Sequence, residues 1–288
     1  MNTLSSLVHG LPSVVGRERL LRALMAASVV AVLLFAGAAR AGVEEPLPDR
    51  FMLRLGGYNI SNANTIMRLD AANAPVGAYI DFNETLGGDS RATVVRADGL
   101  FRFNDNHALG FAVYNVRFNG SRVLGRDIEW GGQTYPLSTQ VDSELKFDVY
   151  KLNYQYSLFH NEEAELGASF GFHIMRVSAG IAASGINQAK SEAVTAPLPV
   201  WGLYANYNFT PRFSVYYNYQ FFFIDYEDKF RGGLQDFLFG LEYRLFRNVA
   251  LGAAYNRFVM RVEIKEDVAT LNLDTNWNGG MLYAAVYF

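Results

Sequence analysis

Gly279-Gly280-Met281-Leu282-Tyr283-Ala284-Ala285-Val286-Tyr287-Phe288 closes the chain. Taken in steps of two back from Phe288, the residues Val286, Ala284 and Leu282 form one apolar face. Successive side chains of a strand point to opposite sides, so this is the pattern of a membrane-facing β-strand. Alternation alone also fits a strand of a soluble sandwich, so the fold turns on whether the rest of the chain repeats it and how the repeats are joined.

The repeats are there. Phe237, Phe239, Leu241, Tyr243 and Leu245 alternate with Asp236, Leu238, Gly240, Glu242 and Arg244. Trp201, Leu203, Ala205, Tyr207 and Phe209 alternate with Gly202, Tyr204, Asn206 and Asn208. Phe213, Val215, Tyr217, Tyr219, Phe221 and Phe223 do so with Ser214, Tyr216, Asn218 and Gln220, and Tyr150, Leu152, Tyr154, Tyr156 and Leu158 with Lys151, Asn153, Gln155 and Ser157. Four connections are tight and polar: Asn104 to His107, His160 to Ala164, Thr210 to Arg212, and Arg247-Asn248. The intervening ones read as long, notably Ser61 to Ser90, Asn119 to Val141 and Ser184 to Pro197.

Short turns on one side and long loops on the other are the signature of an outer-membrane barrel, with the short turns in the periplasm. Four short turns with both termini on that side give ten strands, expected near 51–60, 91–103, 108–118, 143–159, 165–183, 199–209, 212–226, 232–246, 249–263 and 273–288. Eight strands would follow if one hairpin were extracellular only, and twelve if Thr65 to Leu69 and Ala78 to Phe82 entered the membrane. Arg68 and Asp81 interrupt those two segments, which favours an extracellular hairpin. Trp130-Gly131-Gly132-Gln133 reads as the tip of another, because paired glycines accept a positive φ.

At the other end, Arg17, Arg19 and Arg22 precede a mostly apolar stretch from Ala23 to Ala39, followed by Ala39-Arg40-Ala41. A basic flank, an apolar core and an A-x-A site predict a secretory signal over residues 1–41, cut after Ala41, with a membrane anchor as the alternative. Residues 42–50 then form a periplasmic lead-in, and 51–288 a single all-β antiparallel transmembrane barrel. No later apolar run is long enough for a membrane helix. With no cysteine, stability has to come from a closed backbone network or a core. The formal net charge of −3 gives no sign of a nucleic-acid partner. The 17 Tyr and 22 Phe suit interfacial belts.

Signal segment, alternating strands, turn asymmetry and terminal Phe288 together resemble the small bacterial outer-membrane barrels of the OmpA, OmpX and OmpW kind. That resemblance implies that Phe288 is part of the signal read by the barrel assembly machinery, and that outer-membrane lipid and lipopolysaccharide surround the wall. It implies no single activity, since the group includes passive barrels, narrow channels, transporters, adhesins and a few enzymes. The enzymes of this kind use a rim histidine with Ser, Asp or Glu beside it.

Strand parity sends Arg54, Arg96, Asp98, Arg102, Lys151, Asn153, Gln155, His173, Asn206, Asn218, Gln220, Asp236, Glu242 and Arg244 to the interior. Ionisable groups at membrane depth are costly unless paired or wet, so these are expected to form a lumenal network that largely fills a narrow bore. Any path through it would lean toward anions, with five basic groups against three acidic ones among them. His107 and His160 fall in short turns. His173 shares a face with Gly167, Ser169 and Gly171, and Met175 stands where the His-x-Ser spacing of barrel lipases would need Ser, so no catalytic residue and no enzyme is expected.

Glu162-Glu163 and Glu227-Asp228, flanked by Tyr226 and Lys229, read as solvated loop charges, and neither metal nor cofactor is expected. Arg122, Arg126, Arg231, Arg257, Arg261 and Lys265 lie on the outer side, where they could meet glycolipid phosphates. The leading expectation is a mostly plugged barrel with a structural or surface-interaction role and an unnamed loop partner. A narrow channel or transporter for small solutes is the alternative, and a lipid-modifying enzyme or protease is disfavoured.

Overall fold

The computed structural model describes residues 50–71, 80–130, 133–226, 230–266 and 269–288. The expected signal segment, the lead-in before Arg50, the turn glycines Gly131 and Gly132 and the loop charges Glu227, Asp228 and Lys229 lie outside the described residues.

Ten long strands build the wall: β1 (Phe51–Ala71), β2 (Ala92–Arg102), β3 (His107–Val123), β4 (Gln140–His160), β5 (Ala164–Ala183), β6 (Gln188–Asn208), β7 (Phe213–Tyr226), β8 (Phe230–Phe246), β9 (Val249–Glu266) and β10 (Ala269–Tyr287). Each pairs antiparallel with its chain neighbours, and β10 returns to β1 over the whole run from Met52↔Tyr287 to Ala71↔Ala269. At that seam the Phe288 N–H donates to the Phe51 carbonyl at 2.8 Å, and the Phe51 N–H to the Phe288 carbonyl at 3.1 Å. Closure matters because an open strand edge in hydrocarbon would leave unpaired backbone groups costing several kcal/mol each.

The four tight turns fall where the sequence puts them, while the strands run further at the other end than the alternation suggested. β1 continues to Ala71 and β3 to Val123, and Ser184 to Pro197, read as a loop, is mostly the start of β6. Thr65 to Leu69 belongs to the extension of β1, where Ile66 and Met67 pair with the short strand Ile80–Asp81 outside the closed ring.

The wall changes character along its height, as β4 shows. Outward residues Tyr150, Leu152, Tyr154, Tyr156 and Leu158 are exposed apolar groups, and inward ones are Lys151, Asn153, Gln155 and Ser157. Above residue 149 the same two faces exchange character. Asp142, Glu144, Lys146 and Asp148 point outward, while Val141, Leu145, Phe147 and Val149 are buried inside. β5 makes the same exchange, from Phe170, Phe172 and Ile174 outside with His173 inside, to Arg176 and Ser178 outside with Met175, Ala179 and Ile181 inside. The barrel is therefore two bodies sharing one wall: a band with an apolar exterior and polar interior, and a head with a polar exterior and apolar core.

On β1 a bulge between Ile60 and Asn62 also shifts the inward parity, from Tyr58 and Ile60 to Ala63 and Thr65. The head is roofed by its connections. Phe82 and Leu86, then Leu124, Ile128 and Tyr135 of the small hairpin Ile128–Trp130/Gln133–Tyr135, are all buried. The Tyr135 hydroxyl donates to the Ile181 carbonyl at 3.3 Å.

Candidate functional site

A cavity of about 610 Å³ occupies the interior of the band and opens among the short turns, where Asn104, Asp105, Asn161 and Glu163 form its mouth. Every interior residue expected from strand parity lines it except His173. Nearest the mouth, Arg102 grips Glu165 with two parallel bonds, Nη1 to Oε1 at 3.0 Å and Nη2 to Oε2 at 2.9 Å. Glu165 also accepts from Ser157 Oγ at 2.5 Å and from Asn206 Nδ2 at 3.0 Å, and Ser157 Oγ lies 2.9 Å from the Tyr204 hydroxyl. One carboxylate thus ties β2, β4, β5 and β6 together across the lumen.

A second knot joins the opposite wall. Arg54 Nε donates to Glu242 at 3.0 Å, and the Tyr283 hydroxyl donates to the same oxygen at 3.1 Å. The guanidinium of Arg54 lies 4.0 Å from the Tyr216 ring centre, and that of Arg244 lies 4.6 Å from the Tyr287 ring. These tyrosines fit because glycine faces them: Gly240 is paired with Tyr216 and Gly252 with Tyr283, and a Cβ on either would strike the facing ring. Gly167 makes the same room for Tyr204, whereas the space at Gly171 is taken by Asn153 and the backbone of Leu152.

The roof of the cavity is a third, buried layer. Arg96 chelates Asp98 through Nε at 3.0 Å and Nη2 at 2.8 Å, and reaches Asn256 Oδ1 at 3.3 Å. Asn256 Nδ2 donates to Asp236 at 2.7 Å, and Asp236 is ion-paired with Lys151. His173 Nε2 bonds Gln220 Oε1 at 2.8 Å. Directly above lie Tyr58 and Tyr114, ring centres 6.2 Å apart, and then Phe147, Phe258 and Trp277, with Phe258 stacked on Trp277 at 4.2 Å. Tyr58, Phe147, Phe258 and Trp277 are 0–1% exposed, so the aqueous space ends beneath them.

Glu165, Asn256 and the tyrosines are the members that sequence reasoning missed. Glu165 was within reach, since it continues the parity of Gly167, Ser169, Gly171 and His173. Its inclusion narrows the expected basic excess to five groups against four, and each of the four carboxylates is paired with a basic side chain. His173 is fully buried and held by Gln220, while His107 and His160 sit at the short-turn end. Of the outer-side cations, Arg122 bonds the Glu84 carbonyl, Arg231 pairs with Asp225 and Arg261 with Asp274. Arg126 has a partner and Arg257 is exposed, while the Lys265 side chain lies outside the described residues.

The closed ten-strand ring with an apolar belt and short turns at one end is the fold of the small outer-membrane β-barrels. No family model matches the chain, and no curated protein matches it in sequence. Among solved structures it is similar to the outer membrane protease OmpT of Escherichia coli, at 12% identity over 86% of this chain and 100% of that one, with a TM-score of 0.55. It also matches OprG of Pseudomonas aeruginosa, at 13% identity over 83% and 95% of the chains and a TM-score of 0.34, and Ail of Yersinia pestis, at 12% over 82% and 99% and 0.34. At these identities the likeness is one of fold alone.

Proposed function

We propose that this chain, after removal of residues 1–41, is an outer-membrane barrel closed to passage, whose role is structural or interaction-based and is carried by the head that stands outside the membrane. The observation that carries this reading is the stacked layer of Tyr58, Phe147, Phe258 and Trp277 across the bore, backed by the roofing residues Phe82, Leu86 and Tyr135. Buried rings above a cavity crossed by ion pairs leave no continuous polar route among the described residues, and a conducting pore requires one. The lumenal pairs serve to hold the wall strands, and Phe288 serves the assembly machinery.

The test is single-channel recording of refolded protein in planar bilayers, beside the Arg102→Ala/Arg244→Ala variant. Silence from both is expected. Steady openings of the wild type that change in the variant would overturn the reading and make the lumen a pathway.

A second reading, uptake of a small solute, draws on the cavity of about 610 Å³ that runs from the short turns to Arg96 and Asp236. It requires the aromatic layer to move, so the Phe147→Ala/Trp277→Ala variant would have to conduct where the wild type does not. An enzymatic reading lacks support in the histidines, because a general base has to reach its substrate and His173 is sealed beneath the rings.

A further inference from the structure

The lumenal cavity is lined by two kinds of polar group, and they differ in how far they are satisfied. The carboxylates Asp98, Glu165, Asp236 and Glu242 are each paired with a basic side chain. The carboxamides are not so provided. Asn153, Gln155 and Asn218 line the cavity and make no hydrogen bond among the described residues. Asn153 is 6% exposed, and its Oδ1 is buried without a partner. Gln220 uses its oxygen on His173 and Asn206 its nitrogen on Glu165, which leaves each amide with its other end to offer.

Register gathers these side chains on one stretch of wall. Gln155, Ser169, Gly202 and Gln220 stand opposite one another in a single line across β4, β5, β6 and β7. Asn153 is the next inward residue above Gln155, opposite Gly171, and Asn218 is the next below Gln220, opposite Tyr204. Ser169 and Gly202 put little bulk between the two glutamines, so the amides flank a shallow trough. Polar side chains that serve as a plug bond one another, as the ion pairs do. Amides left without partners beside a cavity gain instead from what enters it.

We propose that this amide-lined stretch is a binding site for a neutral sugar of one or two rings, entering from the short-turn end. A sugar hydroxyl both donates and accepts, as a carboxamide does, so one solute with adjacent hydroxyls matches Asn153, Gln155, Asn218 and Gln220 together. A charged solute finds no free partner beside them, because Lys151 and Arg96 are bonded to Asp236 and Asp98. It would have to break one of those pairs or remain uncompensated. An apolar solute would strip the amides of water and return no bond. The cavity volume of about 610 Å³ falls within the roughly 300–1,000 Å³ of small-molecule sites. Binding needs no passage beyond the buried rings of Tyr58 and Trp277, so the site stands apart from whether the barrel conducts.

The test is calorimetric titration of the mature protein, refolded in a detergent without a sugar head group, with glucose and with maltose. Saturable binding of one sugar per barrel is expected, with glycerol, glucosamine and gluconate each about tenfold weaker or more. The Asn153→Leu/Asn218→Leu variant keeps the side-chain shapes and removes both amides. It is expected to weaken the sugar about tenfold, the factor to which two lost hydrogen bonds of ordinary strength compound. Gln155→Trp, at a half-buried position that tolerates bulk better, fills the trough and is expected to abolish binding. Heat-dependent gel mobility shows which variants are folded, so the single substitution decides if the double one does not fold. No saturable binding of either sugar by folded wild type, unchanged binding by a folded variant, or equal binding of glycerol or the charged analogues would overturn the proposal.

Discussion

The band and the head of this barrel are built largely from the same strands, yet they solve opposite solvation problems. In the band the solvent outside is lipid, so apolar groups face outward and the interior holds ion pairs that water can reach from one end. In the head the solvent outside is water, so Asp142, Glu144 and Lys146 face outward on β4 and Leu145 and Phe147 go inside. The wall does not bend or slip at the boundary on β4, since pairing with β5 runs unbroken from Asp142↔Ala182 to Ser157↔Gly167. What changes is which side chains occupy a fixed pair of faces, and that is a choice of sequence alone.

The largest difference is expected from truncating large side chains in the two bodies. Trp277→Ala removes a packed ring from a core that nothing can refill, and should lower stability by about 3–5 kcal/mol. Leu203→Ala in the band loses only transfer energy, about 1–2 kcal/mol, because lipid chains close the space. Urea unfolding in lipid vesicles compares the two, and equal losses would deny that the head has a core of its own.

That contrast also explains what the sequence disclosed. Tyr150 to Leu158 and Phe237 to Leu245 announce themselves because lipid imposes apolar groups on one face and the lumen polar groups on the other. The stretch from Gln140 to Val149 alternates just as strictly, so a strand over 143–159 was legible there, but its polar residues lie on the face that had been apolar, and that change of surroundings was not legible. Arg54, Arg102 and Glu242 could be sent inward by parity, but parity does not say that Arg102 meets Glu165 across β2 and β5, since that pairing depends on which walls face each other across a closed ring. The bulge after Ile60 hides the inward Thr65 for a related reason, because a single inserted residue reverses parity above it.

A cation on the outward face separates the bodies next. Phe172→Arg within the band should cost about 2–4 kcal/mol, as charges do on the lipid face near mid-depth. Ser178→Arg, further up the same face of β5, should stay within about 0.5 kcal/mol. A similar penalty at both positions would extend the lipid to the top of the strand.

Within the band's interior, Arg102→Ala strands Glu165 among Ser157 and Asn206. A loss of about 2–3 kcal/mol is expected, below the 3–5 kcal/mol of a fully dry pair because the cavity mouth admits water. The Arg102→Ala/Glu165→Gln double variant should recover part of it, and a strictly additive cycle would make the bidentate contact incidental. The smallest effect is Ser157→Ala, about 1 kcal/mol for one bond to a carboxylate that keeps its other partners.

The absence of cysteine makes the most direct test available, because any introduced thiol is unique. Single variants Lys146→Cys, Asp148→Cys, Tyr150→Cys and Leu152→Cys on the outward face of β4, in protein inserted into liposomes, are exposed to a membrane-impermeant thiol reagent. Labelling of Lys146→Cys and Asp148→Cys with protection of Tyr150→Cys and Leu152→Cys is the expected result, a boundary set by one step of the strand. Protection of all four, or labelling of all four, would contradict a barrel divided into a membrane band and a water-exposed head.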